Sequence, residues 1–204
     1  VKTVAFIVIS PLVGLVLGSL SMLAVSWIFR RSTPRGVDGL FRKLQLVSAA
    51  AFSLGHGSND AQKTAGIITA LLYSTGHLSG DFHVPMWVVL ASYGAIGLGT
   101  LSGGWRIVET MGMRITKLQP VGGFCAETAG AVALFGASAM GIPVSTTHTI
   151  TGAIVGSGVS ASRRMSAVKW GVASRIVWAW VITMPAAALL AALCLLVVRA
   201  TGMR

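Results

Sequence analysis

Asn59, Asp60, Gln62 and Lys63 stand inside residues 44–73, a stretch otherwise built almost wholly from apolar and small side chains. At the centre of a membrane-spanning helix an uncompensated Asp or Lys costs about 3 kcal/mol on insertion scales, so a chain that keeps both there has a use for them. The local sequence is GHGSNDAQKTAG, residues 55–66. Glycine and serine immediately ahead of the polar cluster allow the backbone to leave helical geometry and offer its own N–H and C=O groups to a ligand. Unwound backbone at membrane depth survives only where protein buries it or where it lines a wet cavity. The expectation is a helix broken at this point, with half of a binding site at the break. A plainer reading pairs Asp60 with Lys63, three residues apart on one helix face, as polar glue between helices.

A second polar cluster follows Gly141-Ile142-Pro143, where Ser145, Thr146, Thr147, His148 and Thr149 succeed one another without a charge in PVSTTHTITG. Serine or threonine after a proline turn makes a good helix N-cap, and the helix that follows points free N–H groups and its positive dipole end at the break. Hydroxyl donors beside such an end suit a tetrahedral oxyanion. The alternative is that these hydroxyls return to their own helix carbonyls. For His148, a packing role competes with a ligand or proton-carrying role.

The elements that must hold these clusters are spanning helices. Of 204 residues 54% are hydrophobic and only 10% charged, and the mean hydropathy is +0.79, outside the range of soluble globular proteins. The formal charge of +11 does not point to nucleic acid, because the basic residues lie in short connections between apolar segments with few aromatics among them. Orientation in a membrane explains them better. Cys125 and Cys194 lie in apolar segments at no spacing that suggests a metal site or a disulfide framework. No metal or cofactor is expected beyond a coupling cation.

In chain order the expected elements of one transmembrane domain, residues 1–204, are a span at 4–29, a broken helix at 44–74 and a span at 85–104. A helix pair or re-entrant hairpin at 118–161 and a span at 170–198 complete it. Arg30, Arg31, Arg35, Arg42 and Lys43 precede the broken helix, whereas residues 74–84 contain no Lys or Arg. With Arg106, Arg114 and Lys117, then Arg163, Arg164 and Lys169, the basic loops 30–43, 105–117 and 162–169 are expected to be cytoplasmic in a multi-pass protein of the cell membrane. Gly14-xxx-Gly18 and Gly152-xxx-Gly156 read as close helix packing, without a ligand role.

Three blocks carry a resemblance over essentially the whole chain: GSNDAQKTAG, GWRIVETMGMRITKLQPVGGFCAET and GIPVSTTHTITGAIVGSG. Together, and in this order, they resemble the inorganic phosphate transporter (PiT) family, whose motifs GANDVANAxG and PVSSTH occur twice, in two inverted halves. Here each occurs once, in the order of the second half. The resemblance implies an all-α, polytopic transmembrane protein with broken or re-entrant helices, one half of an inverted-repeat transporter. It implies secondary-active uptake of inorganic phosphate by symport with a cation, proton or sodium, through alternating access and without covalent chemistry. The N-terminal half would be a separate chain or a missing segment, since the excess of Lys and Arg in the loops opposes insertion of this chain in both orientations, and an oligomer is compatible with the pattern.

Residue by residue, the resemblance assigns Ser145, Thr146 and Thr147 to phosphate, and the chemistry of Ser58 and Lys63 adds these two to the set. It matches Asn59 and Asp60 to a pair that binds the coupling cation or lies beside phosphate and Glu127 to the family's acidic position, and these three, with His148 added for its own chemistry, are the candidates for the coupling ion. Lys63 stands where the eukaryotic-type motif has a second Asn, and its ammonium would supply the charge that sodium supplies elsewhere, so the expectation favours proton coupling through Asp60, Glu127 or His148 over sodium. Two rival expectations are an intramembrane serine hydrolase, with Ser58 or Ser145 as nucleophile and His148 as base, and a fragment that inserts but transports nothing.

Overall fold

Without a run of alternating apolar and polar residues, the chain has no period on which to build a half-buried sheet, and helices form instead. The structure, a computed structural model, describes residues 2–78 and 80–201. The helices are α1 (Lys2–Ile28), α2 (Pro34–Ser74), α3 (Met86–Glu109), α4 (Pro120–Ala139), α5 (Thr146–Ser162) and α6 (Trp170–Ala200). A π-helical turn, Thr110–Arg114, continues α3, so the span expected at 85–104 runs to Arg114. Residues 5–28, 86–114, 120–139 and 170–200 are each long and apolar enough to cross a membrane.

The chain resolves into two compact units, Val1–Val168 and Lys169–Arg204. The second consists of α6, which carries Pro185 in its interior and buries none of its described residues. In the first, α1, α4 and α5 pack on one another, α2 lies along α4, and α3 contacts α2. α5 is the most deeply buried helix, covered from Thr151 through Gly158.

Glycine lets α1 and α5 meet backbone to backbone. A Cβ at Gly14 would land on the Thr149 carbonyl, and one at Gly152 on the carbonyl of Pro11. The two glycine pairs therefore mark a helix crossing, as their spacing suggests. Beside it Leu134, Ala137 and Val144 form a small core with Phe6, Phe52 and Ile142 against it.

α2 departs from expectation in two ways. Residues 34–43 are helix rather than loop: Pro34 starts the helix, where a missing N–H costs nothing, and Arg42 Nε pairs with Asp38 Oδ2 at 3.1 Å, one turn apart. The helix then passes through GHGSNDAQKTAG without a break. Glycine permits a departure from helical geometry but does not compel one, and no proline in that stretch removes a backbone donor. The polar side chains there find partners outside α2, Asn59 on Ser138, Asp60 on Thr146 and Lys63 on the Val144 carbonyl.

The break falls between α4 and α5. Gly141, at φ 64°, donates to Ser138 O at 3.0 Å and Ile142 N–H to Ala137 O at 2.9 Å, a Schellman closure of α4. Pro143 prevents the helix from resuming at once. Ser145 then caps α5, its Oγ accepting from the His148 N–H at 3.4 Å.

Candidate functional site

A continuous α2 places His56, Asn59, Asp60 and Lys63 on one face, at i, i+3, i+4 and i+7, and that face meets the α4–α5 link. Thr146 Oγ1 donates to Asp60 Oδ2 at 3.2 Å. The other carboxylate oxygen, Oδ1, lies 3.4 Å from Lys63 Nζ, which also donates to the main-chain carbonyl of Val144. His56 Nδ1 stands 3.5 Å from Asp60 Oδ2, and its ring stacks on Phe52. Asn59, only 5% exposed, donates through Nδ2 to Ser138 Oγ at 3.2 Å, leaving its buried Oδ1 without a partner among the described residues.

These groups surround an open pocket of about 330 Å³. Asp60 and Lys63 line one side, Pro143 to Thr147 the other, and Phe6 and Ile7 of α1 close the apolar wall. The N–H groups of Thr146 and Thr147, in the first turn of α5, have no carbonyl four residues back within the helix. The dipole end, two hydroxyls and an ammonium thus converge where one carboxylate is already partly neutralised. An anion fits there, provided the Asp60 charge is balanced.

Of the residues expected at phosphate, Ser145, Thr146, Thr147 and Lys63 line this pocket and Ser58 does not. Ser58 Oγ donates to the Gly55 carbonyl of its own helix at 3.2 Å. Among the residues expected at the coupling ion, Asp60 lines the pocket and Asn59 lies beside it on the same helix face. The buried ring of His148 turns towards α1, with Nδ1 3.2 Å from the Ile7 carbonyl. The Ser145 hydroxyl is engaged as the helix cap, accepting from the His148 N–H.

Glu127 is elsewhere. Its Oε2 accepts from Ser48 Oγ at 2.6 Å, and Ser48 lies about 18 Å before Asp60 along the axis of α2 at 1.5 Å per residue. Local spacing could not show this separation, because it depends on where α4 runs along α2. A hydrogen bond to a carboxylate inside a helix bundle is worth about 1 kcal/mol. Ser48→Ala is accordingly expected to lower stability by about 1 kcal/mol, read by thermal unfolding, with ligand affinity at the Asp60 pocket changed less than about twofold. A tenfold change in affinity would place Glu127 and the pocket in one unit.

The sequence reading passed over two contributors. His56 could have been found, as it precedes Asp60 by one helical turn within the same motif. The Val144 carbonyl has no signature in sequence, since it depends on the link being non-helical and on α2 lying opposite it.

Such a fold and site define a helical membrane protein with a polar, anion-suited pocket at a helix break. The chain belongs to the phosphate transporter family, which it matches over residues 1–191. It is 64% identical over 193 residues to a "probable low-affinity inorganic phosphate transporter" of Rhizobium meliloti, covering 95% of this chain and 57% of that protein. A Bacillus subtilis protein of the same description is 43% identical over 194 residues, with the same coverage of both chains. Among solved structures, one described as "the sodium-dependent phosphate transporter" superposes with a TM-score of 0.64 at 30% identity, covering 80% of this chain and 41% of that one. The chain thus spans about half the length of the relatives it matches.

Proposed function

We propose that this chain supplies one half of a secondary transporter of inorganic phosphate in the cell membrane, with the other half on a second chain or segment. The observation that carries the reading is the docking of the charged face of α2 onto the capped N-terminus of α5 across an open pocket. Phosphate carries one to two negative charges near neutral pH, so it needs both N–H and hydroxyl donors and compensating charge. Thr146, Thr147 and the α5 dipole supply the donors, and Lys63 supplies a cation.

Family membership and the names of the relatives support phosphate as the substrate. Coverage of about half of each relative supports a missing half, against which this one would rock in alternating access. Symport with a proton or sodium balances the charge of phosphate and Asp60 during the crossing. The excess of Lys and Arg in loops 30–43, 105–117 and 162–169 supports their cytoplasmic location.

The test is equilibrium phosphate binding to the purified chain, with uptake into vesicles measured once the second half is supplied. Thr146→Val keeps the side-chain shape and removes the hydroxyl. Loss of a hydrogen bond to a charged partner, about 1.5 kcal/mol, corresponds to about tenfold weaker binding. Unchanged affinity in Thr146→Val, or a wild-type protein that neither binds nor carries phosphate, overturns the reading.

A further inference from the structure

The Lys63 ammonium, on the wall of the open pocket, is held between two oxygens. Its two recorded partners are a carboxylate oxygen, Asp60 Oδ1 at 3.4 Å, and a main-chain carbonyl, that of Val144 in the non-helical link. A carboxylate paired with a carbonyl from unwound backbone is an oxygen donor set for a small hard cation. Val144 is itself buried and fixed by the small core beside it, with Pro143 ahead of α5, so the carbonyl is held in place whether or not Lys63 reaches it. Lys63 is tied on the other side through α2, which is continuous at this point.

We infer that the Lys63 ammonium is the permanent occupant of a cation seat formed by the Asp60 carboxylate and the Val144 carbonyl, so that this pocket binds its anion without sodium. The charge that a free ion would bring is covalently attached, and its loss leaves both oxygens without the ammonium between them. The inference deepens the phosphate reading of the same pocket. It leaves to other groups any proton that crosses with the anion.

Removing the ammonium should therefore create a sodium response that the wild type lacks. Thermal unfolding of the purified protein, without phosphate, is compared in sodium chloride and in choline chloride of equal concentration. Wild type is expected to melt at the same temperature in both. Lys63→Ala and Lys63→Asn are expected to melt several degrees higher in sodium, because an ion that binds only the folded state stabilises it. Lys63→Arg, which keeps the charge, is expected to show no sodium response.

Phosphate titrations then form the second arm. In choline both neutral variants are expected to bind phosphate at least about tenfold more weakly than wild type, the loss of one charged contact, and sodium is expected to restore part of that loss. A sodium-dependent wild type overturns the inference, as do neutral variants indifferent to sodium. If the melting results hold while no protein binds phosphate in either salt, the cation seat stands and the phosphate reading falls. Two neutral variants are used so that misfolding of one does not decide the matter.

Discussion

Asp60→Asn is expected to cut phosphate uptake by about thirtyfold while lowering stability by less than about 1 kcal/mol. The carboxylate joins three groups from two parts of the fold: Thr146 at 3.2 Å, Lys63 at 3.4 Å and His56 at 3.5 Å. At 34% exposure its contacts with Lys63 and His56 are screened by solvent and worth about 0.2–0.4 kcal/mol each, and an Asn oxygen still accepts from Thr146, so the fold survives the change. Function is more sensitive, since the three together orient the ammonium and the α5 hydroxyl towards one point. About 2 kcal/mol of lost orientation corresponds to about thirtyfold. The check is initial uptake rate per folded protein in vesicles containing both halves, beside a melting curve. Uptake within threefold of wild type would mean that the convergence on Asp60 is structural glue, the plainer reading of the motif.

The second large effect is expected less than two turns along α5 from the pocket. Gly152→Leu should leave little or no folded protein, because its Cβ would occupy the space of the Pro11 carbonyl, backbone that cannot step aside. Overpacking ordinarily costs about 1–3 kcal/mol, and a clash between two main chains lies at or beyond the top of that range. Gly152→Ala meets the same carbonyl with one carbon and should cost about 3 kcal/mol. Gly66→Ala, where a new Cβ touches nothing within 4 Å, should instead gain about 0.5 kcal/mol from helix propensity. Thermal unfolding in detergent orders the three variants. If Gly152→Ala proved as stable as wild type, the close crossing of α1 and α5 would not describe the protein in solution.

The link between that crossing and the pocket is α5. Its first turn presents Thr146 and Thr147 to α2, and its following turns are held by α1 through Gly152 and Gly156. A displacement at the glycines therefore moves the hydroxyls of the site. Smaller substitutions there, such as Gly156→Ala against the Leu15 carbonyl, act on function through position.

Much of this was legible along the chain, because it depends on what each segment can do alone. Apolar runs at the length of a bilayer require helices, since a lipid-exposed backbone must satisfy its own hydrogen bonds. Gly141 and Pro143 end one helix and delay the next by their own backbone limits, and Ser145 caps by local reach. Glycines four apart announce a close neighbour without naming it.

What tertiary structure alone decided was which groups meet. Glycine in GHGSND permits a break, yet α2 runs on because Asn59 finds Ser138 and Asp60 finds Thr146 on other elements. Glu127, equally acidic and equally embedded in an apolar segment, ends beside Ser48 and away from the pocket, while the unmarked Val144 carbonyl enters it. Local sequence sets propensity within a few residues, whereas partners separated by a whole helix are chosen by how helices align and which buried polar atoms would otherwise stay unpaired.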